Sequence, residues 1–155
     1  MILDLEFERA RELAVKYIGI DRYKSSGRVR QKLLEKGVDA ALADRVVDYY
    51  KALDYIDDHR AARRVAARYG GRRLRSQRAM TAVFIQNGIE AGLAREEARA
   101  LDPDALTARQ LCLAYYDRPG PDDEMAMMKL LARRGYPSGL AREVIRALIK
   151  EDYER

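Results

Sequence analysis

One pattern occurs three times in this chain, and it limits the fold more than any other feature. Around Gly37 the sequence reads VRQKLLEKGVDAALADRVVDYY, around Gly88 MTAVFIQNGIEAGLAREEARAL, and around Gly135 MMKLLARRGYPSGLAREVIRAL. The three stretches align on the glycine without a gap, at separations of 51 and 47 residues. Eight positions before it stand Val29, Met80 and Met127. Five and six positions after it stand Leu42-Ala43, Leu93-Ala94 and Leu140-Ala141, and thirteen after it Tyr50, Leu101 and Leu148. In the third copy Leu140, Val144, Ile145 and Leu148 fall at i, i+4, i+5 and i+8, the apolar stripe of a helix. Each glycine fits the position just past a helix end, where a left-handed backbone is needed and a missing Cβ removes the penalty. Each copy is therefore a helix, a glycine turn and a second helix. Three copies at a period near fifty predict a repeat array in which each unit buries its apolar face on its neighbours.

Nine helices in three groups of three follow, with no segment alternating at period two and hence no sheet. The first spans about Asp4 to Ile18, with Leu3, Phe7, Ala10, Ala14 and Tyr17 on one face. The second spans about Arg28 to Glu35, with Ser26 as cap. Asp39 caps the third, which buries Leu42, Val46, Val47, Tyr50 and Leu53. The fourth opens at Asp57-Asp58 and continues to Tyr69. The fifth spans about Arg72 to Asn87 and the sixth about Glu90 to Ala100. Pro103 starts the seventh, about Asp104 to Tyr116. Asp122 or Asp123 caps the eighth, and Ser138 the ninth. The expected fold is all-α: three tandem three-helix repeats over residues 1–54, 55–101 and 102–155, in an elongated, curved, right-handed or solenoid-like array.

Composition excludes several classes. Apolar residues make up 48% and charged residues 35%, which suits a folded, water-soluble chain rather than a disordered one. No apolar run approaches the ~20 residues of a membrane span, and the acidic, amphipathic start MILDLEFERARELAV is not a signal peptide. The single cysteine, Cys112, cannot form an internal disulfide, so the expected location is the cytoplasm.

Charge carries the functional signal. Between His59 and Gly88 lie Arg60, Arg63, Arg64, Arg68, Arg72, Arg73, Arg75 and Arg78, and no acid. The chain has 30 basic and 25 acidic residues, so its whole positive excess resides in those eight. Like charges repel unless a partner neutralises them, and guanidinium suits bidentate contacts to phosphate or carboxylate. These eight residues are the candidate binding site, with Arg60, Arg64 and Arg68 expected along one helix edge. Tyr69 is the only tyrosine in the segment, which gives base stacking little support as the main mode.

No catalytic or metal site is expected. Walker-type and Gly-x-Gly-x-x-Gly phosphate loops are absent from the sequence. Gly70-Gly71 could offer backbone N–H groups to a phosphate but is read as a helix break. Asp57-Asp58 is read as a helix cap rather than an acid–base pair. His59 is the only histidine, so His-based metal sites and triads have no material. Cys112, within the apolar run LCLAYY, is read as an inert buried thiol, and Met125, Met127 and Met128 as core filling. The chain is expected to be a non-enzyme without cofactors.

At this point the residues resemble a family. LLARRGYPSGLAREVIRAL is similar to the last repeat of RecX proteins. Ser25, Lys32-Leu33 and Lys36-Gly37-Val38 match the family's first repeat, and Tyr55-Ile56-Asp57-Asp58 its aromatic-aliphatic-Asp-Asp signature. The resemblance runs from about Ala10 to Ile149, with departures at Arg28, Ala61 and Asn87. It implies three three-helix repeats and a monomeric modulator of the RecA recombinase. Such a modulator lies in the groove of the RecA–single-stranded DNA filament, lowers its ATPase and strand exchange, and limits filament growth. The arginine stripe then faces the filament. The alternative is a helix-turn-helix-like module that acts directly on DNA.

Overall fold

The computed structural model describes residues 2–154, with side chains from Leu5 onward, so the expected inward face of Leu3 lies outside the described residues. The described residues are all-helical, without strands. Nine α-helices run in order: α1 Ile2–Ile18, α2 Ser26–Glu35, α3 Ala40–Ala52, α4 Asp58–Ala66, α5 Gln77–Gln86, α6 Ala91–Arg99, α7 Asp104–Tyr115, α8 Glu124–Arg133 and α9 Ser138–Glu154. Short 3-10 turns occupy Gly71–Arg73 and Pro121–Asp123. The chain divides into two compact units, one of residues 1–65 and 84–93, the other of residues 66–83 and 94–155.

The core of the first unit is a three-helix packing. α1 contributes Ala10, Ala14 and Ile18, one residue per turn; the two alanines leave room for α2 and α3 to pack close, and Ile18 fills the end of the core. Against them lie Val29 and Leu33 of α2, Ala43, Val46, Val47 and Tyr50 of α3, and Ile56 beyond it. Phe7, Tyr17 and Leu42 are partly buried on its edge, whereas Leu53, expected inside, is 48% exposed. It is the cap residue where α3 ends, and so leaves the inward stripe. Tyr50 donates its hydroxyl hydrogen to the Arg11 carbonyl at 2.9 Å, which lets a polar ring tip sit in the core.

The second unit buries Ala108, Leu111 and Cys112 of α7, Met127, Leu130 and Leu131 of α8, Tyr136, and Ala141, Ile145 and Leu148 of α9. Of the three methionines, Met127 is fully buried and Met125 is 72% exposed. Thr107 and Tyr136 join their hydroxyls at 2.8 Å inside this core. Cys112 has no solvent contact, and burial pushes its thiol up from 9.0 to about 11.

The repeated glycines set the joints within each unit. Gly37, Gly88 and Gly135 have φ of +86°, +86° and +91°. Each follows a helix with the same pair of bonds. Gly37 N–H donates to Leu34 O and Val38 N–H to Leu33 O; Gly88 to Ile85 and Ile89 to Phe84; Gly135 to Ala132 and Tyr136 to Leu131. This double closure satisfies carbonyls that a helix end otherwise leaves open.

Two of these ends are docking sites for a helix start. Ser25 caps α2, its Oγ accepting from Arg28 N–H, and donates its own hydroxyl hydrogen to Asn87 O at 2.7 Å. Gly27 N–H donates to Gly88 O. Ser76 caps α5 in the same way, accepting from Ala79 N–H, while its backbone N–H donates to Arg134 O. The cap of α2 is therefore Ser25, not Ser26. Ser26 presents its N–H and hydroxyl to Asp58, at 2.7 and 2.6 Å. Asp104 takes the Gln77 N–H at 2.9 Å in the corresponding place. Asp58 and Asp104 thus open α4 and α7 while closing the starts of α2 and α5.

Two outcomes are expected. An added Cβ at Gly88 meets Ser25 Oγ at 2.4 Å, and at Gly135 meets Ser76 Oγ at 2.7 Å and Ala79 Cβ at 2.8 Å, whereas Gly37 has open space around it. Gly37→Ala should cost only the left-handed backbone penalty, ~1–2 kcal/mol. Gly88→Ala and Gly135→Ala should each cost more in urea unfolding, since a cap must also move. For Cys112, folded and unfolded states are both protonated below 9.0, and the buried thiol's contribution is then intact. It declines as pH rises from there to about 11, where the unfolded thiolate is favoured. Parent and Cys112→Ala unfolding curves at pH 8 and pH 10.5 check this, the parent losing more stability between them.

Candidate functional site

The arginine segment is not one continuous helical edge. α4 ends at Ala66, so Arg68 lies in the turn beyond it, and α5 begins only at Gln77. Arg72 and Arg73 sit in the 3-10 turn, Arg75 precedes the Ser76 cap, and Arg78 alone is on α5. The break has a local cause. Gly71 has φ of +58°, and buried Ser76 starts a new helix at its own cap. Arg60, Arg63 and Arg64 belong to the first unit, and the other five to the second.

In the first unit Arg60 is a brace. Its Nε donates to Arg22 O at 2.8 Å, its Nη2 to Asp54 O at 3.0 Å, and its Nη1 to Asp54 Oδ1 at 3.3 Å. Arg22 and Asp54 are the two non-glycine residues with positive φ among the described residues, at +57° and +62°. One guanidinium therefore holds two left-handed loop residues. Asp57 completes the cluster, its Oδ1 accepting from Arg60 N–H at 3.1 Å. That backbone bond holds the Asp57 carboxyl below the usual carboxylate range. Arg64 lies over the Tyr23 ring at 4.6 Å, and Arg63 is exposed, without an ion pair among the described residues.

In the second unit Arg73 and Arg75 both lie over Tyr69, at 5.4 and 4.9 Å. Arg72 stands 5.2 Å over Tyr115, and its Nε donates to Ala114 O at 3.0 Å. Arg134, outside the segment, donates to Arg72 O at 2.7 Å and so fixes the turn. Arg68 and Arg78 are exposed. Tyrosine faces thus orient several of these cations, at roughly 0.5–1 kcal/mol per exposed contact, whereas Arg60 has the carboxylates of Asp54 and Asp57 beside it. Two of these tyrosines, Tyr23 and Tyr115, lie far from the segment in sequence, and no spacing rule links them to it. Among the described residues no group of three His, Cys, Asp or Glu comes together to hold a metal, and no helix is long and apolar enough to cross a membrane.

Known proteins are similar to this chain over most of its length. Over 130 residues, 79% of this chain and 70% of the relative, it is 28% identical to "Regulatory protein RecX" of Thermobifida fusca (strain YX). Over 151 residues, 86% of this chain and 79% of the relative, it is 28% identical to "Regulatory protein RecX" of Mycobacterium sp. (strain JLS). Both matches support membership of the RecX family. No family model matches it, and no solved structure matches it. Both relatives are named regulatory proteins.

Within this chain the arginines divide into braces and free cations, and the division is testable. Arg60→Ala should destabilise by about 1–3 kcal/mol, because its charged hydrogen bonds hold two strained loops. Arg63→Ala, one turn away and exposed, should stay within about ±0.5 kcal/mol. Urea unfolding of the two variants separates them.

Proposed function

We propose that this chain is a non-enzymatic regulator that binds RecA and the RecA–single-stranded DNA filament and inhibits its recombinase and ATPase activity or filament growth. In this reading it acts as a cytoplasmic monomer built of three three-helix repeats, over residues 1–54, 55–101 and 102–155. Arg63, Arg64, Arg68, Arg73, Arg75 and Arg78 face the filament, while Arg60 and Arg72 hold the loops that present them. The observation that carries the reading is the run of eight arginines without an acid, with Arg63, Arg68 and Arg78 exposed, on a chain whose relatives are named regulatory proteins RecX. A nucleoprotein filament offers both phosphate and carboxylate to such a surface.

The test is RecA's DNA-dependent ATPase. It should fall on adding this protein at equal or lower concentration than RecA. Reversing Arg63, Arg68 and Arg78 together to glutamate should leave helical content intact and abolish most of the inhibition. Binding to RecA without DNA distinguishes this reading from direct action on DNA. A protein contact persists there, whereas a purely nucleic-acid contact vanishes and appears instead on naked duplex. Unchanged ATPase with parent protein, at saturating concentration, rules the regulator reading out.

A further inference from the structure

We infer that the second unit carries a cleft for a nucleotide of single-stranded nucleic acid, lined by Tyr115, Tyr116, Lys129, Leu130, Arg133 and Arg134. Its volume is about 400 Å3, and no acid lines it. Lys129 and Arg133 stand four residues apart on α8 and so share one face. Neither they nor Arg134 form an ion pair among the described residues. Three cations thus converge on one concavity with no protein carboxylate to neutralise them.

Part of this site is held in place before any ligand arrives. Arg134 donates to Arg72 O at 2.7 Å, to Leu74 O at 3.4 Å and to the Tyr115 hydroxyl at 3.3 Å. The Tyr115 hydroxyl also donates to Arg72 O at 3.4 Å. Arg72 lies over the Tyr115 ring, and Tyr115 remains 43% exposed. A fixed cation and a fixed ring lose little freedom on binding, which favours affinity. Cations match phosphate, and tyrosine faces match bases of any sequence. An acidic peptide would engage the cations but leave the rings without a matching group. The cleft's place in a filament rests on the RecA reading above, to which it adds the contact with the DNA strand.

The probe is a fluorescein-labelled oligo(dT) of about 15 nucleotides, long enough to cover such a site. Fluorescence anisotropy is followed across a salt series for the full chain, Lys129→Ala/Arg133→Ala, Tyr115→Ala and Tyr115→Phe. The double variant changes only exposed positions and should bind about tenfold or more weakly, with the slope of log K against log salt reduced by ~1.4 for two lost phosphate contacts. Tyr115→Ala should weaken binding about fivefold or more, and Tyr115→Phe, which keeps the ring, should stay near the parent. Thermal unfolding of each variant separates lost binding from lost fold. Parent-like affinity and slope in the double variant overturn the cleft. So does a loss confined to DNA-free RecA, which makes the surface a protein contact. If the oligonucleotide results hold but the parent neither binds RecA nor alters its ATPase, the cleft stands and the regulator reading falls.

Discussion

The structure depends on one joint, made once in each unit. A helix ends at a glycine in the left-handed conformation, and the serine-capped start of another helix rests on that end. Ser25 reaches the carbonyl before Gly88, and Ser76 the carbonyl before Gly135. The chemistry is reciprocal. A helix end has spare carbonyls, a helix start has spare N–H groups, and placing them together satisfies both without water. The aspartates that open α4 and α7 close the remaining donors of the same starts. Burial of Leu33, Phe84, Leu131 and their neighbours then supplies most of the favourable energy, at about 25 cal/mol for each Å2 removed from water. The joint determines which helices share that burial.

Charge is handled by a second device. Eight arginines within thirty residues have no acid among them, yet few of them are bare. Arg60 finds Asp54 and the carbonyl of Arg22; Arg64 finds Tyr23; Arg73 and Arg75 share Tyr69; Arg72 has Tyr115 and Ala114 O. Ring faces and carbonyls orient a guanidinium without cancelling its charge. The segment therefore keeps its positive potential while fixing several of the side chains that produce it.

Much of the fold was legible in the sequence because its signals are local. The glycine register marked three helix ends, helical periodicity placed Val46, Tyr50, Ile145 and Leu148 inside, and Asp39 was readable as the cap of α3. The errors fall where a distant partner decides. Ser25 and Ser26 are indistinguishable as caps until Asp58, 32 residues away from Ser26, claims the second. Arg72 to Arg75 read as helix because arginine and leucine favour it. Gly71 and the Ser76 cap outweigh that preference by tying the segment to Arg134 O. The candidate site was legible as a charge run but not as a geometry. The distant tyrosines and carbonyls that hold it come from α7, the loop before α2 and the turn after α3, and no periodicity links them to the run.

The joints rest largely on main-chain atoms. Gly88 O, Asn87 O and Arg134 O are acceptors that any residue supplies, and Gly27 N–H and Ser76 N–H are donors that any residue but proline supplies. Side-chain identity matters at a few places: the glycines, whose Cβ space is taken at Gly27, Gly88 and Gly135, the serine caps and the paired aspartates. Elsewhere an apolar residue of suitable size is enough. Such an assembly can accumulate substitutions over most of its length while its helices stay in register. Kinship in chains of this kind is then carried by a sparse set of small residues at fixed intervals, and two relatives can share little else.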